Sequence, residues 1–145
     1  MSFFNAMDTA ASGLTAQRFR LDIISQNMAN ANTTRTENGG AYKRQSVVFE
    51  QMDNNNSFSN ILRESKKTGT NGVRVARIIT DDTRGALVYD PGHPDSNEEG
   101  YVEMPNVNVV DEMVNMISAS RAYEANVTSF NTMKSMFTKT LEIGK

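Results

Sequence analysis

Residues 2–31 read SFFNAMDTAASGLTAQRFRLDIISQNMANA. Met7, Leu14, Leu21 and Met28 fall seven apart, and Phe3, Ala10, Ile24 and Ala31 supply a second line broken only by Gln17. Two apolar lines repeating every seven residues predict a helix that packs along its whole length. The remaining positions hold Ser, Thr, Asn, Gln and Ala, and only Asp8, Arg18, Arg20 and Asp22 carry charge. A helix that faces water on one side usually carries Glu and Lys there. The small, neutral surface of this one predicts that more than one of its faces meets protein.

The far end of the chain repeats the pattern. Val109, Met116, Tyr123, Phe130 and Phe137 fall seven apart. Met113, Val127 and Leu141 form the second line, with Ser120 and Lys134 as exceptions. Asn108 suits the N-cap of this helix, and Asp111 and Glu112 occupy its first turn, where the helix dipole favours acids. The periodicity runs to Ile143, with Gly144 and Lys145 as a C-terminal stop. At 1.5 Å per residue, helices over 2–31 and 109–143 span roughly 45 and 52 Å, a matched pair. The methionines at 113, 116, 133 and 136 suit either ordinary core use or a seam with several unlike neighbours. The expectation is an antiparallel coiled coil of the two terminal helices.

Between the helices the signals change. Asn27 to Thr34 is rich in Asn, which competes for backbone hydrogen bonds and tolerates the left-handed conformation, so the first helix stops there. Asn38-Gly39-Gly40 marks a turn. Residues 41–50, 73–80, 86–90 and 101–104 carry strand-forming side chains, and Pro91-Gly92-His93-Pro94 cannot continue a strand. Residues 53–71 are dominated by Asn, Ser, Thr and Gly around an apolar knot of Phe58, Ile61 and Leu62, and read as a flexible loop. The predicted class is therefore α+β. Residues 1–34 and 108–145 form the terminal-helix coiled-coil domain, and 35–107 an inserted, small antiparallel β unit of three or four strands.

Composition narrows the function. The apolar fraction is 38% and the net charge −2, so neither a nucleic-acid surface nor an anionic-membrane surface is implied. Without Cys there is no disulfide, no Cys-ligated zinc and no thiol nucleophile. No apolar run approaches the roughly 20 residues of a membrane span, and Met1–Ala11 lacks the pattern of a secretory signal peptide. His93, the sole histidine, stands in an acidic loop without a second ligand to complete a zinc site. The turn acids Asp81-Asp82 and Glu98-Glu99 read as solvated, and the dispersed glycines form no phosphate cradle. The expectation is no catalytic residue, no metal and no cofactor.

Ala11-Ser12-Gly13-Leu14 together with Ser25-Gln26-Asn27-Met28-Ala29-Asn30-Ala31-Asn32-Thr33-Thr34 resembles the N-terminal signature of the bacterial flagellar axial proteins of rod, hook and hook-associated type. Arg121-Ala122-Tyr123-Glu124-Ala125-Asn126 and the closing Leu141–Lys145 resemble the same family's C-terminal end. Gly39–Arg44, Val88–Pro94 and Gly100–Val107 narrow the likeness to its short proximal-rod members; residues 50–72 carry no family pattern. The resemblance implies that Asn27, Asn30, Asn32, Thr33, Tyr123, Glu124 and Asn126 are motif positions, and that both heptad lines are assembly seams. It implies a helical tube that crosses the periplasm and transmits torque. Export would proceed through the flagellar type III apparatus, without a cleaved signal peptide. Implied partners are copies of the chain itself, the rod proteins FlgB, FlgF and FlgG, and the ring-to-rod adapter FliE, with no nucleic acid and no direct membrane insertion. Two other readings stand beside this one: a cytoplasmic coiled-coil adapter or export chaperone, and a small hydrolase using His93.

Overall fold

The computed structural model describes residues 3–37, 39–52 and 72–143. Ser2, at the start of the predicted first helix, Asn38, the 53–71 loop with its apolar knot, and the Gly144-Lys145 stop lie outside the described residues. The element order is α1 (Phe3–Ala29), β1 (Gln45–Gln51), β2 (Val73–Thr80), β3 (Leu87–Tyr89), β4 (Tyr101–Glu103) and α2 (Val109–Ile143). Two long terminal helices pack together with antiparallel β structure between them in sequence, an α+β fold as expected.

α2 starts where its cap predicts. The Asn108 Oδ1 accepts the Val110 N–H at 3.0 Å, satisfying one orphan donor of the first turn, and its carbonyl accepts the Glu112 N–H at 3.0 Å as the first intrahelical bond. α1 ends at Ala29, two residues short of the predicted limit. The Asn30 Nδ2 donates to the Gln26 carbonyl at 2.9 Å, competing for an acceptor of the last turn. No non-glycine residue described here has positive φ, so the Asn cluster stops the helix by side-chain competition and not by a left-handed residue. The uncharged helix surfaces are satisfied locally. Thr9 and Thr15 on α1, and Thr128, Thr132, Thr138 and Thr140 on α2, donate their hydroxyls to carbonyls four residues back.

The β elements form two separate two-stranded sheets, β1 with β2 and β3 with β4. In the first, Met52 N–H donates to the Gly72 carbonyl at one end and Asp81 N–H to the Arg44 carbonyl at the other, an antiparallel pairing. In the second, Leu87, Val88 and Tyr89 face Glu103, Val102 and Tyr101. Among the described residues the two pairs do not join into the single three- or four-stranded unit expected, and the connection 81–86 is held elsewhere. The Asn106 side-chain amide takes the carbonyls of Asp81 and Thr83, each at 3.0 Å. Gly85 lies so close to the Met104 carbonyl that a Cβ there would overlap it. The turn at Pro91–Pro94 closes as its prolines require, and Gly100, at φ +82°, brings the chain back beneath Tyr89.

The described residues group into two compact units. One takes α1 up to Phe19, β1 from Phe49, β2 up to Ala76 and α2 from Ala119. In it Phe3 and Phe137 stack with ring centroids 4.6 Å apart, Ser12 Oγ accepts the Val73 N–H at 3.0 Å, and Gly13 lies against the Asn126 side chain. The other takes α1 from Arg20, β1 up to Val48, β2 from Arg77, both short strands and α2 up to Ser118. Its buried apolar residues are Ile23, Ile24, Tyr42 and Val102, and around them it encloses two polar side chains, Asn27 and Glu112.

Gly85→Ala is expected to lower stability by about 1–3 kcal/mol, because the added methyl forces the backbone of β4's exit to move. Thermal unfolding followed by circular dichroism measures it; an unchanged melting temperature would show that the close approach is not enforced.

Candidate functional site

Asn27 reaches the second unit's core from the last turns of α1, and Glu112 from the first turn of α2; both are fully buried. An Asn amide has two donors and an oxygen with two lone pairs, and all four are used. Nδ2 donates to the Gln45 carbonyl at 2.8 Å and to Glu112 Oε2 at 3.0 Å. Oδ1 accepts the Tyr42 hydroxyl at 2.9 Å and the Gln45 N–H at 3.0 Å. The side chain thus pairs with both backbone groups of Gln45, as a neighbouring strand residue would, where β1 begins.

Glu112 completes the cluster. Its Oε1 accepts Arg44 Nε at 2.9 Å and Arg44 Nη2 at 2.8 Å, and Asn115 Nδ2 stands 3.4 Å away. A carboxylate removed from water needs such partners, because unpaired burial of its charge is costly. Arg44 keeps part of its guanidinium exposed, and its backbone N–H donates to Asn106 Oδ1 at 2.7 Å. Asn106 then carries the network on to Asp81 and Thr83. Six polar side chains therefore tie the end of α1, the entry to β1, the exit of β2 and the start of α2.

The electrostatics follow from this enclosure. Burial first, and the Glu112 charge second, raise the Tyr42 pKa above its ordinary 10.0. At Asp81 the N–H and then the hydroxyl of Thr83 hold the carboxyl below its ordinary 3.8. A raised folded pKa contributes stability present below the ordinary value and lost as pH climbs through the folded one. The Tyr42 contribution therefore disappears on the alkaline side, above about pH 10. Asp81, whose folded pKa is lowered, contributes above its ordinary value and loses that contribution as pH falls.

The sequence-predicted residues are distributed as follows. On α1, Ala10 and Ile24 are buried, and Phe3, Met7, Leu14, Leu21 and Met28 half-buried. On α2, Met116, Tyr123, Val127 and Phe130 are half-buried, whereas Val109, Met113, Phe137 and Leu141 are exposed. The most enclosed heptad line of α2 is instead Glu112 and Ala119, both at 0% exposure, continued by half-buried Asn126 and Met133. That line was not legible because an acid, an alanine and an asparagine lack hydrophobicity.

Among the motif positions, Asn27 is central to the cluster. Asn30 terminates α1 and accepts the Thr33 hydroxyl at 3.2 Å, and the Thr33 carbonyl accepts the Tyr42 N–H at 3.0 Å. Asn32 and Glu124 are exposed. Tyr42, Arg44 and Asn106 stand inside the quoted family segments Gly39–Arg44 and Gly100–Val107 without a role of their own there, and Glu112 is expected only as a first-turn acid favoured by the helix dipole. Besides those segments, a signal is the alternation of Tyr42 and Arg44 at the approach to a strand. His93 accepts the Asp95 N–H on Nδ1 at 3.1 Å, inside a turn pinned to Thr34 through Asp95. With every oxygen of Glu112 engaged and sealed, the cluster holds chain segments together and presents no reactive group.

Comparison with known proteins follows the same two ends. The flagella basal body rod protein family matches residues 7–35, and the C-terminal family of the flagellar basal body rod FlgEFG proteins matches residues 98–143. The chain is 50% identical to the flagellar basal-body rod protein FlgC of Borreliella burgdorferi, covering 99% of this chain and 98% of that one. It is 47% identical to FlgC of Bacillus subtilis and 43% identical to FlgC of Escherichia coli O157:H7, in each case over the full length of both chains.

Arg44→Met is expected to cost about 3–5 kcal/mol, since it leaves Glu112 buried without its cation. Tyr42→Phe removes one bond to a still-bonded oxygen and should cost only about 1 kcal/mol. It should also flatten the loss of stability above about pH 10. Urea unfolding of the variants between pH 7 and 11 measures both; equal costs, or the same alkaline slope without Tyr42, would contradict this account.

Proposed function

The chain belongs to the FlgC family of flagellar basal-body rod proteins, and on that premise we propose that it builds the proximal part of the rod as one subunit of a helical tube. It is a structural subunit of the basal-body rod and not an enzyme. The carrying observation is the face α2 leaves uncovered: Val110, Met113, Val114, Ile117, Met136, Leu141 and Ile143 are all more than half exposed. A helix bearing that much apolar surface requires neighbours, as contiguous exposed apolar patches on soluble monomers are rare. Heterologous contacts that do not close on themselves propagate as helical arrays.

In this reading the terminal segments 1–34 and 108–145 form the core of the tube. The predicted lines through Met7, Leu14, Leu21 and Met28 on α1, and Met116, Tyr123 and Phe130 on α2, are its assembly seams. The inserted region 35–107 lies outside them. Neighbours are further copies, the rod proteins FlgB, FlgF and FlgG, and the adapter FliE. The subunit reaches its place within the periplasm through the flagellar type III export apparatus, without a cleaved signal peptide. Torque then passes through many subunit interfaces, each helix supplying more than one face. The neutral surface of α1, with Gly13 against the Asn126 side chain and Ala16 buried, suits such packing.

Leu14→Asp or Phe130→Asp should abolish incorporation into basal bodies and swimming, because a carboxylate placed in an apolar seam is desolvated without a partner. Motility plates and immunoblots of purified basal bodies provide the readout, and motile cells carrying either substitution would refute the seam assignment. Wild-type protein found only in the cytosol would favour the adapter or chaperone reading instead.

A further inference from the structure

Heptad seams are degenerate. On α1 the line Met7, Leu14, Leu21, Met28 presents nearly the same surface after a slip of seven residues, and the aromatic line of α2 is similarly repetitive. The four charges of α1 give little electrostatic guidance along its length. Apolar burial alone therefore leaves the antiparallel register of the two helices poorly specified.

Two contacts remove this ambiguity. In one unit Asn27 bonds Glu112; in the other the Asn126 side chain lies where a Cβ on Gly13 would stand 3.1 Å from its Nδ2. Fourteen residues separate Gly13 from Asn27 on α1, and fourteen separate Glu112 from Asn126 on α2, in the opposite direction. The two contacts thus demand one and the same antiparallel register, and they sit two heptads apart. Each is polar or small where a seam would ordinarily be apolar. A slip of seven residues strands Asn27 and Glu112 without each other and brings a larger side chain to Asn126 in place of Gly13.

We propose that these two contacts are register-selecting positions: Asn27 with Glu112, supported by Arg44, and Gly13 with Asn126 together choose one helix register out of several that the heptads would accept. Their role is specificity more than stability. Replacing buried ion pairs by well-packed apolar groups is often neutral or stabilising, whereas a single buried Asn on a helical seam can fix its register. The large exposed apolar surface of α2 makes the choice consequential, because a slipped hairpin would present a different surface to its neighbours.

The chain contains no cysteine, so register can be read by cross-linking the purified full-length protein with a short bis-maleimide. The pair Phe3→Cys with Phe137→Cys reports the observed register, and Phe3→Cys with Phe130→Cys reports a one-heptad slip. In the otherwise native chain only the first pair should react. With Arg44→Met, Glu112→Leu and Asn126→Leu added, the slipped product should rise about tenfold or more while helical circular dichroism is kept, since neither the Asn27–Glu112 bond nor the Gly13–Asn126 fit now favours the observed register. A slipped product still at the background level of the native chain would overturn the proposal, as would failure of the first pair to react in the native chain. Should the triple replacement lose its helicity, Arg44→Met with Glu112→Leu, which removes the Asn27–Glu112 bond alone, is read by the same criterion: a slipped product above the native background supports the proposal, and one at background overturns it.

Discussion

A buried carboxylate that must not be left alone organises the second unit of this protein. Glu112 is closed off from water, so the Arg44 guanidinium and the Asn27 amide have to be where they are. Arg44 sits at the approach to β1, and Asn27 is three residues before the stop created by Asn30. The position of one acid therefore constrains where α1 ends, where β1 begins and how α2 starts. Asn106 extends the constraint to the exit of β2.

The first unit is organised by size and shape. Gly13 and Asn126 allow the helices to approach closely, Phe3 and Phe137 stack, and Ser12 fixes the start of β2. Among the described residues neither unit encloses a large apolar core. Much of the apolar surface of α2 stays uncovered, and that is consistent with a subunit whose fold is completed by neighbours. The neutral helix surfaces serve the same end. Threonines that satisfy their hydroxyls on their own helix can lie against protein without demanding water or a charged partner.

Much of the fold was legible. Both helices, all four strands and the Asn108 cap lie within a few residues of where periodicity and capping put them, because these signals act over one or two turns. The grouping of strands into two pairs was not, because it is set by contacts distant in sequence, such as those of the Asn106 amide to carbonyls 23 and 25 residues away. Nor was the α1 stop read fully: the Asn cluster ended the helix, but through the Asn30 amide and not through a left-handed residue. Among functional residues, Asn27 is marked by its motif, while the burial of Glu112 and its pairing with Arg44 beside Tyr42 have no local signal.

Sequence by itself determined that this is a cysteine-free chain with two long terminal helices around a small β-rich insert. It also determined a resemblance to flagellar axial proteins. Those conclusions rest on periodicity, local capping and motif, which need no knowledge of what lies across the fold. Tertiary structure alone decided that Glu112 is buried rather than solvated, and that Asn27, Tyr42, Arg44 and Asn106 converge with it. An acid in a helix's first turn looks the same in sequence whether water or an arginine 68 positions away neutralises it. The difference lies in desolvation, which only the packed chain imposes.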